Sequence, residues 1–254
     1  MTEVLALFEI DWSEQIPLLT AGLRRTLMFT GAGFIGATTL GLVIAMLRVS
    51  TVRPLRWIAA VYTETFKNIP LMAIIFLVYV GLATGVGIRF SAFQGGVIAL
   101  TLFYAAYLSE IFRSAILGVH GGQKEASEAL GLGRFSTFRK VIFPQALRMA
   151  LPGTNTMFVD LLKSTSLLVV IAAAELMTAG SLIRSRTFRA LEVYVVIAAI
   201  YFAMCYPLSQ ALLWLERQIT AGNPLSPGRR RRLKAVRVLL KAEKTELDKK
   251  GALA

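Results

Sequence analysis

Residues 26–47 are 22 consecutive positions without an Asp, Glu, Lys, Arg or His. A helix of that length rises about 33 Å, enough to cross the ~30 Å hydrocarbon layer of a bilayer. Four more windows are nearly as free of charge. Residues 57–83 are interrupted by Glu64, Lys67 and Pro70, and residues 90–117 carry Glu110 and Arg113 near their end. Residues 149–178 contain Asp160, Lys163 and Glu175, and residues 193–215 form the fifth window. With 56% hydrophobic residues overall, the pattern predicts an all-α membrane protein of five transmembrane helices. The expected organisation is an extracytoplasmic N-terminal segment 1–21, a transmembrane domain 22–217 with a cytoplasmic loop 118–148, and a basic cytoplasmic tail 218–254. The opening MTEVLALFEIDWSEQ carries acids where a signal peptide carries basic residues, so the first apolar run is expected to stay as a span.

Five spans put the termini on opposite sides, and the basic residues choose which. Grouping the loop at 48–56, the loop at 113–148 and the tail from Arg217 gathers 20 Lys and Arg on one side against 6 on the other. The richer side is expected to be cytoplasmic, with the N-terminus outside and the C-terminus inside. Ala32 and Gly36, Gly33 and Ala37, and Ala37 and Gly41 are each four apart, the spacing that lets helices approach closely in lipid. Pro70, Pro152 and Pro207 are expected to kink or break their helices. Broken helices at membrane depth line protein or a water-filled cavity, which fits either a transport path or a structural kink. Residues 221–254 carry ten basic and three acidic side chains. A polybasic segment beside a span suits anionic lipid headgroups, and charge alone does not make a nucleic-acid site, so none is expected. Val236, Leu239 and Leu240 sit at the spacing of an interfacial amphipathic helix. One Cys (Cys205) and one His (His120) exclude an internal disulfide, a cysteine cage and a histidine metal cluster.

In the middle of this apolar chain stands KEASEALGLGRF, residues 124–135. Glu125 to Leu130 favours a helix, with Ala126, Ala129 and Leu130 on one face and Glu125 and Glu128 on a neighbouring one. Gly131 and Gly133 are placed to stop it. Ser136 is placed to cap a second short helix over 137–143, and Pro144 to break the chain before the fourth span. The expected product is a helical knob on the cytoplasmic face whose small residues suit docking into a groove on another protein. The chain has no G-x-x-x-x-G-K-[ST] phosphate loop and no nucleophile–base set, so an energy source for such a knob would lie in a separate subunit.

The stretch EASEALGLGRFSTFRKVIFP resembles the EAA loop of ATP-binding-cassette importer permeases. Glu125, Ala126 and Ser127 stand at its E-A-A positions, Gly131 at the following glycine, and Val141 and Phe143-Pro144 at I-x-L-P. Ser127, Val141 and Phe143 depart from the common residues there. AAYLSEIFRSAI (105–116), GGQKEASEALGL (121–132), FPQALRMALPG (143–153), LLKSTSLLVVIAAAEL (161–176) and ETFKNIPLM (64–72) are similar to the polar amino acid branch of that family. The resemblance runs from about Gly22 to Arg217. It implies the MetI-like fold of type I importer permeases in a bacterial inner membrane. It further implies two permease subunits, alike or different, two cytoplasmic ATPases that use ATP and Mg, and an external substrate-binding protein. The chain itself would be non-catalytic and hold no cofactor. Glu125, Ala126, Ser127, Glu128, Ala129 and Gly131 would form the helix that couples to the ATPase.

Charges inside spans are costly and usually face partners or cavities. Glu64 with Lys67, Glu110 with Arg113, and Asp160 with Lys163 each sit three apart, so each pair has the spacing to neutralise itself. A path for zwitterionic amino acids needs partners for an ammonium and a carboxylate. Glu64 and Asp160 are candidates for the first, Lys67 and Lys163 for the second. Lys67 stands where the family often has Arg, and Ser164 where it often has Asp, with the acid here at Asp160 instead. Glu175, near the outer end of the fourth span, is placed either to touch the binding protein or to cap a helix. Competing readings are an importer permease for an opine or compatible solute, an ion-coupled secondary transporter, and a membrane anchor without transport. Secondary transporters often carry internal repeats, which are not seen here.

Overall fold

The computed structural model describes residues 10–221, and every regular element among them is helical. Helix α1 (Trp12–Arg48) is capped by Asp11, whose carboxylate accepts from the Ser13 amide at 3.0 Å and the Ser13 hydroxyl at 2.6 Å. Those bonds hold the Asp11 carboxyl below its ordinary pKa. At 37 residues α1 is about 55 Å long and exceeds the hydrocarbon layer. It therefore starts 14 residues before the expected span, with Arg24 and Arg25 exposed on its side, and no break marks residue 22.

The second expected span is broken. Helix α2 (Arg53–Asn68) and helix α3 (Leu71–Phe76) meet at a 107° bend. Ile69 there is extended (φ −99°, ψ 132°), the conformation a following proline imposes, and Pro70 caps α3. A π-helical turn, Leu77–Gly81, joins α3 to α4 (Leu82–Gly85). Helix α5 (Ala92–Leu117) matches the third expected span and opens on a capping box between Ser91 and Gln94.

After the knob helix α6 (Gly121–Ala129), the chain runs as one helical rod. Helix α7 (Arg134–Thr137) is capped by Gly133 rather than by Ser136, and passes through a π turn, Phe138–Ile142, into α8 (Phe143–Ser164). Pro144 therefore causes no break: it lies in the first turn of α8, and the wide π turn before it absorbs the missing donor. Pro152 and Pro207 also lie inside uninterrupted helices. The fourth expected span, 149–178, is two elements. Helix α8 tightens into a 3-10 helix, Thr165–Ile171, which ends at Ala172 in the left-handed region (φ 50°). A new helix, α9 (Leu176–Thr187), then starts at Glu175. Helix α10 (Ala190–Ala221) covers the fifth.

Four helices are thus long and apolar enough to cross a membrane, and the bent α2–α3/α4 pair makes a fifth crossing if it spans as one. The chain is a multi-pass membrane protein. Contacts divide it into a unit through Leu213 and a second from Trp214, of which the described part is the last turns of α10. Of the expected basic tail 218–254, residues 222–254 lie outside the described residues.

Helix α5 is the centre of the first unit. Its Leu100, Tyr104, Ala105 and Leu108 are fully buried, and α1 lies along it with Gly33, Ala37 and Gly41 turned inward. A Cβ at Gly36 would come 2.5 Å from Thr101 Oγ1, and one at Gly41 would come 3.0 Å from Leu108 Cβ and 3.1 Å from the Ala105 carbonyl. The four-residue spacing of small residues is therefore a helix–helix seam.

Candidate functional site: an exposed knob and charges within the bundle

Helix α5 leads into the knob through three residues, 118–120. The nine-residue α6 ends where Gly131 takes φ +75°, the left-handed conformation that favours glycine. There the Leu132 amide reaches back to the Ser127 carbonyl (3.0 Å) and the Gly131 amide to Glu128 (3.0 Å), a Schellman-type stop. Ser127 is buried, and its hydroxyl donates to the Gln123 carbonyl at 2.6 Å. Glu125, Ala126, Glu128 and Ala129 are exposed, and Lys124 lies 4.0 Å from Glu128. Beside them Leu130 is 80% exposed and Phe135 75% exposed. The knob thus shows water a compact surface of acids, small residues and two large apolar side chains.

The charges within the bundle are arranged differently from their sequence spacing. Glu64 and Lys67 do approach, at 3.8 Å. Glu110 does bind Arg113, and it binds Arg48 of α1 as well. Asp160 and Lys163 do not pair. The Tyr104 hydroxyl of α5 stands 2.8 Å from Asp160 Oδ2 and 2.7 Å from Ser164 Oγ. With one proton, the tyrosine donates to the carboxylate and accepts from the serine. Tyr104 itself is buried, while Asp160 and Lys163 are exposed on α8. Lys163 borders a cavity of about 330 Å³ together with Ser166, Met177, Tyr194, Ile197, Ala198 and Tyr201. No ion pair or hydrogen bond joins Glu64 or Lys67 to Asp160 or Lys163 among the described residues.

Of the two roles expected for Glu175, the structure shows the cap: the residue is only 1% exposed. It caps α9, accepting from the Met177 amide (2.8 Å), the Thr178 amide (2.6 Å) and the Thr178 hydroxyl (2.9 Å). The Tyr201 hydroxyl of α10 donates to it at 3.0 Å, and beside it the Leu176 amide donates to Thr26 of α1 at 3.1 Å. Three helices are tied together here. Glu175→Gln, which replaces one acceptor oxygen by a donor, is expected to cost about 1–2 kcal/mol. The check is a thermal-unfolding comparison of the purified variants, with Tyr201→Phe giving a smaller loss. Arg48, Tyr104 and Tyr201 went unread in the sequence. Their only signal is a polar group inside or just beyond an apolar run.

The described residues thus form a helical bundle apolar enough to cross a membrane, with an exposed helical knob after α5 and two unpaired charges, Asp160 and Lys163, exposed on α8. The profile of the binding-protein-dependent transport system inner membrane components matches residues 37–221. A probable glutamine ABC transporter permease protein of Bacillus subtilis (strain 168) is 33% identical over 198 residues, 78% of this chain and 91% of that protein. The glutamine transport system permease protein of Escherichia coli (strain K12) is 34% identical over 215 residues, 83% of this chain and 98% of that one. A chain from the crystal structure of an amino acid ABC transporter with histidines superposes with a TM-score of 0.77 at 35% identity, covering 83% of this chain and all of that one. The chain belongs to the family of binding-protein-dependent transport system inner membrane components, and its fold is that of the MetI-like permeases.

Proposed function

We propose that the chain is the permease subunit of an ATP-binding-cassette importer that moves amino acids, polar or charged, across the bacterial cytoplasmic membrane. The observation that carries this is the exposed knob α6, fused through three residues to the central helix of the bundle. It is supported by relatives named as glutamine and amino acid permeases. ATP and Mg belong to a partner ATPase on the cytoplasmic side, and this chain holds no cofactor. The excess of basic residues puts the knob and the C-terminus in the cytoplasm and the N-terminus outside, where a binding protein delivers substrate. A second permease subunit, the same or related, completes the path, and the basic tail lies on anionic lipid.

Mechanically, closure of the ATPases shifts α6. Helix α5 follows, and because α1, α2 and α8 pack on α5, the displacement becomes a rocking of the bundle. ATP can drive this only through its different affinity for the two states. On the path, Asp160 receives the substrate ammonium, since Tyr104, itself held by Ser164, fixes it without neutralising it. Lys163, one turn further on and beside its cavity, receives the carboxylate. Glu64 and Lys67 stand 3.8 Å apart and largely satisfy each other, which makes them the weaker candidates.

Mild-detergent purification of the tagged chain from its own cell, with identification of the co-purifying proteins, tests the reading. A cytoplasmic ATPase is expected. An uptake-competent preparation that contains no ATPase would sink it in favour of an ion-coupled transporter. Asp160→Asn keeps an acceptor for Tyr104 and removes the charge. It is expected to lower uptake about tenfold or more, the scale of losing one charge-assisted contact, with the amount of assembled complex unchanged. Uptake and substrate profile equal to wild type would take Asp160 off the path.

A further inference from the structure

The cytoplasmic ends of α1 and α5 are joined by a single carboxylate. Arg48 is the last residue of α1, and its guanidinium binds Glu110 Oε2. Arg113, one turn along α5, binds Oε1 through both Nε and Nη2. Each carboxylate oxygen thus serves a different arginine, and the two arginines come from two helices. The Arg48 side chain is 13% exposed and those of Glu110 and Arg113 are 31% and 29% exposed, so the joint is partly buried, with Arg48 on its inner side. The neighbouring Ser109 hydroxyl stands 3.2 Å from Thr63 of α2, bringing a third helix to the same level. Just above, Gly41 packs on Ala105 and Leu108 with no slack. Just below, α5 ends and the knob begins at Gly121.

We propose that Glu110 is a positioning residue for energy coupling: it makes α1 follow α5, so that displacement of the knob is passed to α1 rather than bending α5 alone. The proposal rests on the importer reading. It also says that the joint stays closed through the cycle: the seam above holds the middles of α1 and α5 together, and the joint holds their last turns. Without the joint, ATP would still be hydrolysed while less of each stroke reached the bundle.

The test uses the full complex of permease, ATPase and binding protein in proteoliposomes, and reads ATP hydrolysed per amino acid taken up. Glu110→Gln is expected to raise that ratio about tenfold, a usual size for a coupling between sites. The double variant Arg48→Glu/Glu110→Arg reverses the signs across the α1–α5 contact and is expected to bring the ratio back toward wild type. A merely structural role would lower the yield of complex and leave the ratio alone, which would overturn the proposal. In a Cys205→Ser background, Arg48→Cys/Glu110→Cys bridged by a short thiol-reactive linker decides the matter even if the other variants assemble poorly. Bridged complexes are expected to transport as well as wild type. Bridging that stops transport would mean the joint must open, and would also overturn it. Failure of the wild-type complex to couple ATP to uptake would overturn this proposal and the importer reading together. Normal wild-type coupling with an unchanged Glu110→Gln ratio overturns this one alone.

Discussion

Glu128→Lys is expected to fold like wild type and to lose its ATPase. Glu128 lies on the exposed side of α6, one turn from Lys124 at 4.0 Å. An exposed pair at this spacing contributes about 0.3–0.5 kcal/mol, so its reversal scarcely changes stability. The Schellman stop at Gly131 and the buried Ser127, which hold the helix in place, are untouched. At a docked surface the balance is different. There a reversed charge faces a partner arranged for an acid, and such a change costs about 2–5 kcal/mol, or roughly 30-fold to several thousand-fold in affinity. The measurement is paired: thermal unfolding of the purified permease, and the amount of ATPase it brings down. Unchanged unfolding with the ATPase lost assigns α6 to docking. Unchanged unfolding with the ATPase retained would exclude Glu128 from the contact, and Leu130 and Phe135, the large exposed apolar side chains of the knob, would then be the next to test.

The parts of this fold that hydropathy and local chemistry control were readable in advance. Helix α5 lies within two residues of its expected bounds, because lipid fixes its length and Ser91 and Gly118 fix its ends. The knob was readable because Gly131 can adopt φ +75° where other residues rarely do. Where the reading missed, a tertiary or backbone effect overrode a local one. Of three prolines alike in sequence, only Pro70 breaks its helix. At Ile69 the chain turns extended, whereas Pro152 and Pro207 are carried through by the helix on either side. The run 165–174 looks continuous, yet its helix ends at Ala172, a left-handed residue that is not glycine and so leaves no mark in composition. Helix α1 runs 14 residues further out than its charge-free window, since hydropathy sees only the part in lipid. The same holds among the candidate site residues. Three-residue spacing correctly joined Glu64 to Lys67 and Glu110 to Arg113, the second because each oxygen of Glu110 serves a different arginine, so Arg48 does not displace Arg113. It failed for Asp160, whose carboxylate is taken by Tyr104, 56 positions away. Arg48 and Glu110 are 62 positions apart, a pairing no local rule contains.

Gly41→Leu is expected to unfold the bundle at a temperature where Gly31→Leu leaves it intact. Both changes put the same side chain into α1, with the same gain in helix propensity and hydrophobicity. They differ in what the new atoms meet. Around Gly31 nothing lies within 4 Å of a Cβ position. At Gly41 the Cβ alone would stand 3.0 Å from Leu108 Cβ and 3.1 Å from the Ala105 carbonyl, and three more carbons have to follow it. The obstacle includes backbone, which cannot rotate aside. Helix association in lipid gains little from the hydrophobic effect, since the tails are as apolar as the side chains, and depends on close van der Waals contact. Forcing α1 away from α5 therefore gives up the attraction that holds the pair, along with the joint at Arg48 and Glu110 one to two turns below. Overpacking of this kind costs about 1–3 kcal/mol where neighbours can shift, and more where they cannot. At roughly 2–4 °C per kcal/mol for a chain of this size, the unfolding midpoint should fall by about 6–12 °C or more. Thermal unfolding of the two variants in one detergent decides it. Equal midpoints would mean that α1 and α5 do not meet along Gly33, Ala37 and Gly41, and the seam on which the whole coupling argument depends would be wrong.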